Sequence, residues 1–250
     1  MPFSLPQGMT LTWLGHSAFL VETPGEKRIL IDPWVQNNPA CPPDKKDVGP
    51  VDLMLVTHGH FDHIEDAVPI AKATNCTVVG IYETAAWLMG KGVSEQNVAP
   101  MNKGGSLRFE EMSLTVTMVH ADHSCGIKDG EQIIYGGEAV GYVVTLDGGC
   151  AFYHAGDTAV FSDMALIAEL YQPKLAFLPI GDRFVMSLRE AARAAGFLMN
   201  SVEAIVPMHF GTFPLLTGTP DAFRKELEAA GVNLAVMELK PGETLGGRDA

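Results

Sequence analysis

Four apolar runs of this chain end in loops that carry histidine or aspartate. They are LMLVTHGHFDH (residues 53–63), LTVTMVHADHS (114–124), CAFYHAGDT (150–158) and AIVPMHFGT (204–212). Short apolar runs bounded by polar turns read as buried strands. If these strands lie side by side, their loops share one edge, and side chains on loops held by a rigid scaffold are where chemistry concentrates. This repetition constrains the fold more than any other feature of the sequence.

The rest of the pattern fits around it. MTLTWLG, AFLVET and KRILID read as strands, with TPGEK as a hairpin turn. NNPACPPDKKDVGP is a Pro-rich surface loop. VDLMLV is a buried strand, DHIEDAVPIAKA has helical spacing with Pro69 as its expected break, CTVVGI is a strand and ETAAWLMGKG a short helix. SLRFEEM, SLTVTMVHA, VGYVVTLDG and CAFYHAG continue as strands. Strand and helix then alternate: FSDMALIAELY, KLAFLPIG, LREAARAAGFLM, VEAIVPMHFG, PDAFRKELEAAG and a closing strand, NLAVMEL. Strands followed by strand–helix alternation, in two similar halves, predict an α/β (α+β) chain. The expected architecture is two mixed sheets packed face to face with helices outside, a four-layer αββα sandwich over residues 1–250 as one domain.

The chain carries 17 Lys and Arg against 30 Asp and Glu, a formal net charge of −13. Nucleic-acid binding rests on cations that neutralise phosphates, so no nucleic-acid partner is expected. Cys41, Cys76, Cys125 and Cys150 form no CxxC pair and read as reduced intracellular thiols. No basic stretch precedes an apolar run near the start, and no apolar run approaches the roughly 20 residues of a bilayer span. A cytoplasmic chain that contacts no membrane is expected.

The chemistry lies in THGHFDH. Of eight histidines in the chain, His58, His60 and His63 fall in this one stretch with Asp62. Imidazole and carboxylate suit zinc, manganese and iron alike. A turn this short cannot wrap four side chains around one ion, but it can offer two to each of two neighbouring ions. The remaining ligands then come from elsewhere. His16, His120, His123, His154 and His209, with Asp32, Asp122 and Asp157, are the candidates. Gly59 and Gly156 sit beside this set, where unusual backbone torsions are expected.

THGHFDH followed in order by HADHS, HAGDT and PMHFGT resembles the metallo-β-lactamase superfamily. So do GHSAFLVE, LIDPW, HAGDTAVFSDM, LPIGDRF and PMHFGTFP, so that the resemblance spans nearly the whole chain. The nearest branch is the small bacterial metal-dependent hydrolases related to ascorbate-phosphate lactonases. The resemblance implies two divalent ions, zinc first, manganese or iron as alternatives. One would be held by His58, His60 and His123, the other by Asp62, His63 and His209, with Asp157 between them. Asp32 would hydrogen-bond behind a ligand imidazole, and His16 is placed near the site in the same supporting role. His120 competes with His123 for its place.

What the resemblance implies for function is hydrolysis. A hydroxide bridging the two ions would attack a small ester, lactone or phosphoester. Asp62 would orient it and accept its proton. His154, His16 and a metal-bound water are the candidate leaving-group acids, with His154 counted among the catalytic residues. Arg183 would hold an anionic group of a small-molecule substrate. The alternatives are a phosphodiesterase or nuclease of the same fold, a di-iron redox protein, which would need a flavin partner domain, and a non-enzymatic metal-binding relative. Homo-oligomers are common among such relatives. Cys125 after the serine, Val185 in RFVMSLREA and the second histidine of HADHSCGI depart from the family pattern and bear on the substrate.

Overall fold

The computed structural model describes residues 3–246. The strands of the first part are β1 (Thr10–Gly15), β2 (Ala18–Glu22), β3 (Arg28–Ile31), β4 (Leu53–Leu55), β5 (Thr77–Ile81) and β6 (Val98–Met101). Helices α1 (Phe61–Ile64), α2 (Ala67–Thr74) and α3 (Tyr82–Gly90) interleave with them. Next come β7 (Ser106–Phe109), β8 (Leu114–His120), β9 (Gly126–Asp129), β10 (Gln132–Tyr135), β11 (Val140–Leu146) and β12 (Ala151–His154). The last part alternates α4 (Met164–Tyr171), β13 (Leu175–Pro179), α5 (Leu188–Leu198), β14 (Ala204–Met208), α6 (Pro220–Ala229), β15 (Ala235–Val236) and β16 (Thr244–Gly246).

The described residues group into two compact units. One holds 5–105, 124–139 and the stretch from 239; the other holds 3–4, 106–123 and 140–238. Within the described residues, each contains one seven-stranded mixed sheet with its own helices.

In the first unit the strand order is β16-β1-β2-β3-β4-β5-β6, antiparallel up to β3 and parallel from β3 to β6. The parallel strands RILI and LML are almost wholly apolar, as strands buried on both faces must be. Leu30, Val35, Met54, Val56, Ile64 and Leu88 belong to the core beneath α2 and α3. The two-stranded hairpin β9–β10 belongs to this unit as well.

In the second unit the order is β15-β14-β13-β12-β11-β8-β7, with β12 to β15 parallel and the remainder antiparallel. Val143, Tyr153, Ile167, Leu178, Leu198 and Phe223 belong to its core. Helix α5 starts at a capping box: the Ser187 hydroxyl accepts from the Glu190 amide while the Glu190 carboxylate accepts from the Ser187 amide. Such a cap contributes about 1 kcal/mol. The buried face of α5 is nearly all alanine, Ala191, Ala192, Ala194 and Ala195 ahead of Leu198. Thr219 caps α6, with Pro220 in the first turn, where its missing N–H costs nothing.

Several expectations need correction. The helical stretch after THGHFDH breaks at Glu65 and Asp66, not at Pro69. Pro69 lies in the first turn of α2, where no N–H is needed inside the helix. The closing strand NLAVMEL shrinks to Ala235–Val236. Strand β6 and the β9–β10 hairpin were not foreseen. Among the described residues, no helix is long and apolar enough to cross a membrane.

Candidate metal centre

Two parallel neighbours, β3 and β4, deliver Asp32 and the THGHFDH loop to the same end of the first unit's sheet. The carboxyl ends of parallel strands are where open α/β sheets build their sites. Asp32 is fully buried and is a hub for hydrogen bonds. Its Oδ1 accepts the Thr57 amide at 2.8 Å, and its Oδ2 accepts the Thr57 hydroxyl at 2.8 Å. The same Oδ2 accepts Nδ1–H of His63 at 2.7 Å. Thr57 Oγ1 in turn lies 3.0 Å from Nδ1 of His58.

Proton accounting fixes two tautomers. A hydroxyl has one hydrogen. Thr57 gives its hydrogen to Asp32, so it accepts Nδ1–H of His58, and in the neutral ring the lone pair is on Nε2. His63 is fixed in the same sense through Asp32. Both rings therefore present Nε2, the form a ligand needs.

The other members of this half lie close by. His58 Nε2 and His60 Nδ1 are 3.0 Å apart. His16 Nε2 meets Asp62 Oδ2 at 3.1 Å. The ring of His16 packs edge-on against Trp34 at 5.2 Å and His63 at 5.5 Å. Ligand atoms of His16, Asp62 and His63 lie within 4.8 Å of one another, as do those of His58 and His60 and those of His58 and His63. His16, His58 and His63 are buried, whereas His60 and Asp62 are half-buried. Behind the loop, Asp66 accepts the amides of Val35 and Gln36 at 2.7 and 2.9 Å, and Glu65 accepts the Trp34 indole at 2.9 Å. These bonds pin the LIDPW stretch to the joint between α1 and α2.

The second unit holds the other candidates. His209 follows β14, and Asp157 follows β12. His209 Nε2 lies 3.0 Å from Asp157 Oδ2, and His123 Nε2 lies 3.7 Å from the same oxygen. Asp157 and His209 are each 2% exposed. The loop bearing His123 is clamped to the Asp157 loop: Thr158 Oγ1 accepts the Asp122 amide at 2.9 Å, and Ala159 N–H donates to the Asp122 carbonyl at 3.0 Å. His123 thus reaches Asp157, whereas the exposed His120 ends β8 with its ring edge-on to Phe161 at 4.8 Å. His154 is fully buried; its Nδ1 accepts the Gly156 amide at 3.2 Å, which shapes the turn into Asp157.

The backbone at these positions is unusual. His16, Asp32 and His209 all have positive φ, at 57°, 50° and 55°. For non-glycine residues this region is sparsely populated and clusters at functional sites. Gly156 has φ 63°, as expected beside a ligand. Gly59 does not; a Cβ there would instead run into Ile127 of β9. Arg183, at φ 61°, is exposed, and its guanidinium sits 5.9 Å from the Phe184 ring. Burial pushes the Cys125 thiol up from its ordinary pKa, opposed by hydrogen bonds from Thr84 and the Gly59 backbone. It donates to the Gly136 carbonyl at 3.2 Å, so it is a protonated packing residue. The four cysteines are all free thiols.

The donors fit a divalent ion chemically. His58 Nε2 and His60 Nδ1, 3.0 Å apart, are imidazole donors of the kind zinc takes. Reading the sequence did not pick out Thr57, Asp66 and Thr158 as positioning residues. Thr57 and Asp66 adjoin the histidine loop, and Thr158 adjoins Asp157, which was the available signal.

Known proteins bear this out at the family level. Residues 27–210 match the model of the beta-lactamase superfamily domain. A UPF0173 metal-dependent hydrolase of Koribacter versatilis is 56% identical over 238 residues, covering 95% of this chain and 98% of its own. The solved structure of Igni18, a metallo hydrolase of the archaeon Ignicoccus hospitalis, is 36% identical with TM-score 0.82, covering 95% of this chain and 97% of its own. The metallo-β-lactamase fold protein YhfI of Bacillus subtilis, at 18% identity and TM-score 0.67 over 94% of this chain and 98% of its own, shares the fold. The chain belongs to the beta-lactamase superfamily and, within it, to the UPF0173 metal-dependent hydrolases.

Proposed function

We propose that this chain is a dinuclear metal-dependent hydrolase of small ester, lactone or phosphoester substrates, working in the cytoplasm. The observation that carries the reading is the pair of half-sets of donors at strand ends. His58, His60, Asp62 and His63 stand in one unit; His123, Asp157 and His209 stand in the other. Together these residues would hold two divalent ions, His58, His60 and His123 one, Asp62, His63 and His209 the other, and Asp157 both. Zinc suits this histidine-rich set, and manganese and iron accept the same ligands. Bound there, the ions supply Lewis acidity and lower the pKa of water toward neutrality.

The chain's own residues do the rest. Asp32 and Thr57 hold His58 and His63 in the ligand tautomer. His16 holds the Asp62 carboxylate, which accepts the proton of the attacking water. His154, with Nδ1 engaged by Gly156, keeps its proton on Nε2 and is assigned to the leaving group. Arg183 is assigned to an anionic group of the substrate. The net charge of −13 favours a small substrate over nucleic acid.

Elemental analysis of untagged protein purified without chelator tests the reading. Wild type should carry about two ions per chain, fewer in His58→Ala, and turnover should vanish in Asp157→Ala. A fully loaded, active Asp157→Ala protein, or a wild type that takes up neither zinc nor manganese, would overturn it. Loaded protein is then screened on lactones and esters against phosphodiesters.

A further inference from the structure

Ser124 stands out among the residues that the hydrolase reading leaves unused. It follows His123 in the chain and belongs to the same unit as His60. Its Oγ lies 3.3 Å from Nε2 of His60. The other ring nitrogen of His60, Nδ1, is the one that faces His58 Nε2 at 3.0 Å. His60 is thus oriented the opposite way to His58 and His63. Those two rings present Nε2 and anchor Nδ1, whereas His60 presents Nδ1 and meets Ser124 at Nε2.

The partners differ in kind. His63 is anchored on the Asp32 carboxylate, which only accepts. A serine hydroxyl can donate or accept. With Nδ1 committed as a ligand, the ring proton of neutral His60 sits on Nε2, and the Ser124 hydroxyl is placed to accept it.

We propose that Ser124 is a positioning residue for His60: its hydroxyl engages Nε2 and holds the ring so that Nδ1 is presented on the His58 side, where the ion would bind. The inference rests on the hydrolase reading, because it needs the ion. Ser124 is exposed, so replacing it should leave the fold intact.

The test compares wild type, Ser124→Ala and Ser124→Thr, each titrated with zinc against a competing chelator, with the metal-free melting temperature as a control. A proton NMR measurement on the zinc-loaded proteins follows the ring N–H of His60. Ser124→Ala should bind the ion assigned to His58, His60 and His123 about 10-fold less tightly, the lower end of what supporting residues contribute. Its His60 ring N–H should exchange faster with water. Ser124→Thr, which keeps the hydroxyl, should restore both. Equal affinity and equal exchange in wild type and Ser124→Ala would overturn the assignment while leaving the hydrolase reading standing. A wild type that binds no zinc would overturn both.

Discussion

Replacing Asp32 with asparagine keeps the side chain's shape and removes its charge. Asparagine tolerates left-handed backbone, so the φ of 50° adds little strain of its own. The loss is electrostatic and can be worked from three bonds. The carboxylate accepts from Thr57 N, Thr57 Oγ1 and His63 Nδ1 at 2.8, 2.8 and 2.7 Å. An amide has one oxygen, so its NH2 must face a donor on one side. With the native tautomers kept, NH2 turns toward the Thr57 amide and leaves one buried donor unsatisfied at about 1–3 kcal/mol; the other choice satisfies every donor only by moving the His58 and His63 protons to Nε2, the form that cannot bind an ion there. Loss of charge assistance on the remaining two bonds adds about 1 kcal/mol.

The sum is about 2–4 kcal/mol, a large share of the 5–15 kcal/mol that holds a typical domain. For a chain of this size it should lower the melting temperature by roughly 4–16 °C. The measurement is calorimetric unfolding of chelator-treated protein, which removes any metal contribution. Metal affinity should fall about 10–100-fold in parallel, because both His58 and His63 lose the group that fixes their tautomers. An Asp32→Asn protein that melts within a degree of wild type and binds zinc equally well would show that the hub does not hold the loop.

Three further outcomes are expected. A methyl group on Gly181 would meet the carbonyl oxygen of His209, so Gly181→Ala should cost about 1–3 kcal/mol, read by thermal unfolding, and lower the metal content; an unchanged metal count would refute the link to His209. Burial raises the Cys41 thiol to about 11 from 9.0. The native chain then keeps a proton that the unfolded chain releases above about 9, so stability is intact below that pH and falls on the way to 11, by up to about 1.4 kcal/mol per unit. Denaturant titrations across that range check the sign, and Cys41→Ala should flatten the slope. Arg183→Ala should leave thermal stability within about 0.5 kcal/mol. For an anionic substrate it should raise KM by roughly 10–100-fold, the worth of one charged hydrogen bond, and a flat KM would remove Arg183 from the substrate site.

What could be read from the sequence followed from the strength of local signals. Strands β4, β8, β12 and β14 are predominantly apolar, and each ends at or just before its polar loop. The histidine loop was equally plain, since four ligand-type side chains within so few residues have little structural use. Strand β6 was hidden by Pro100, which is tolerated because β6 is an edge strand. The β9–β10 hairpin turns at Gly130-Glu131, between the paired Asp129 and Gln132, but its strands are short and largely exposed, with no apolar alternation to mark them. Pro69 misled because a proline breaks a helix only beyond its first turn. Asp66, which accepts two loop amides, is separated by about thirty residues from those amides and could not be paired with them without the fold. The resemblance put His123 ahead of His120; the Thr158 clamp that holds the His123 loop to the Asp157 loop is a long-range bond with no local signature.

The edges of the two sheets bear on how the chain fares in a crowded cell. Within the described residues, one sheet ends in β16, three residues long, and in β6, which carries a proline. The other ends in the two residues of β15 and in the four of β7, with Arg108 among them. Short, proline-bearing or charged margins are poor templates for a foreign strand. Aggregation by edge-to-edge growth is therefore disfavoured at each margin, even while the chain is highly concentrated or freshly made.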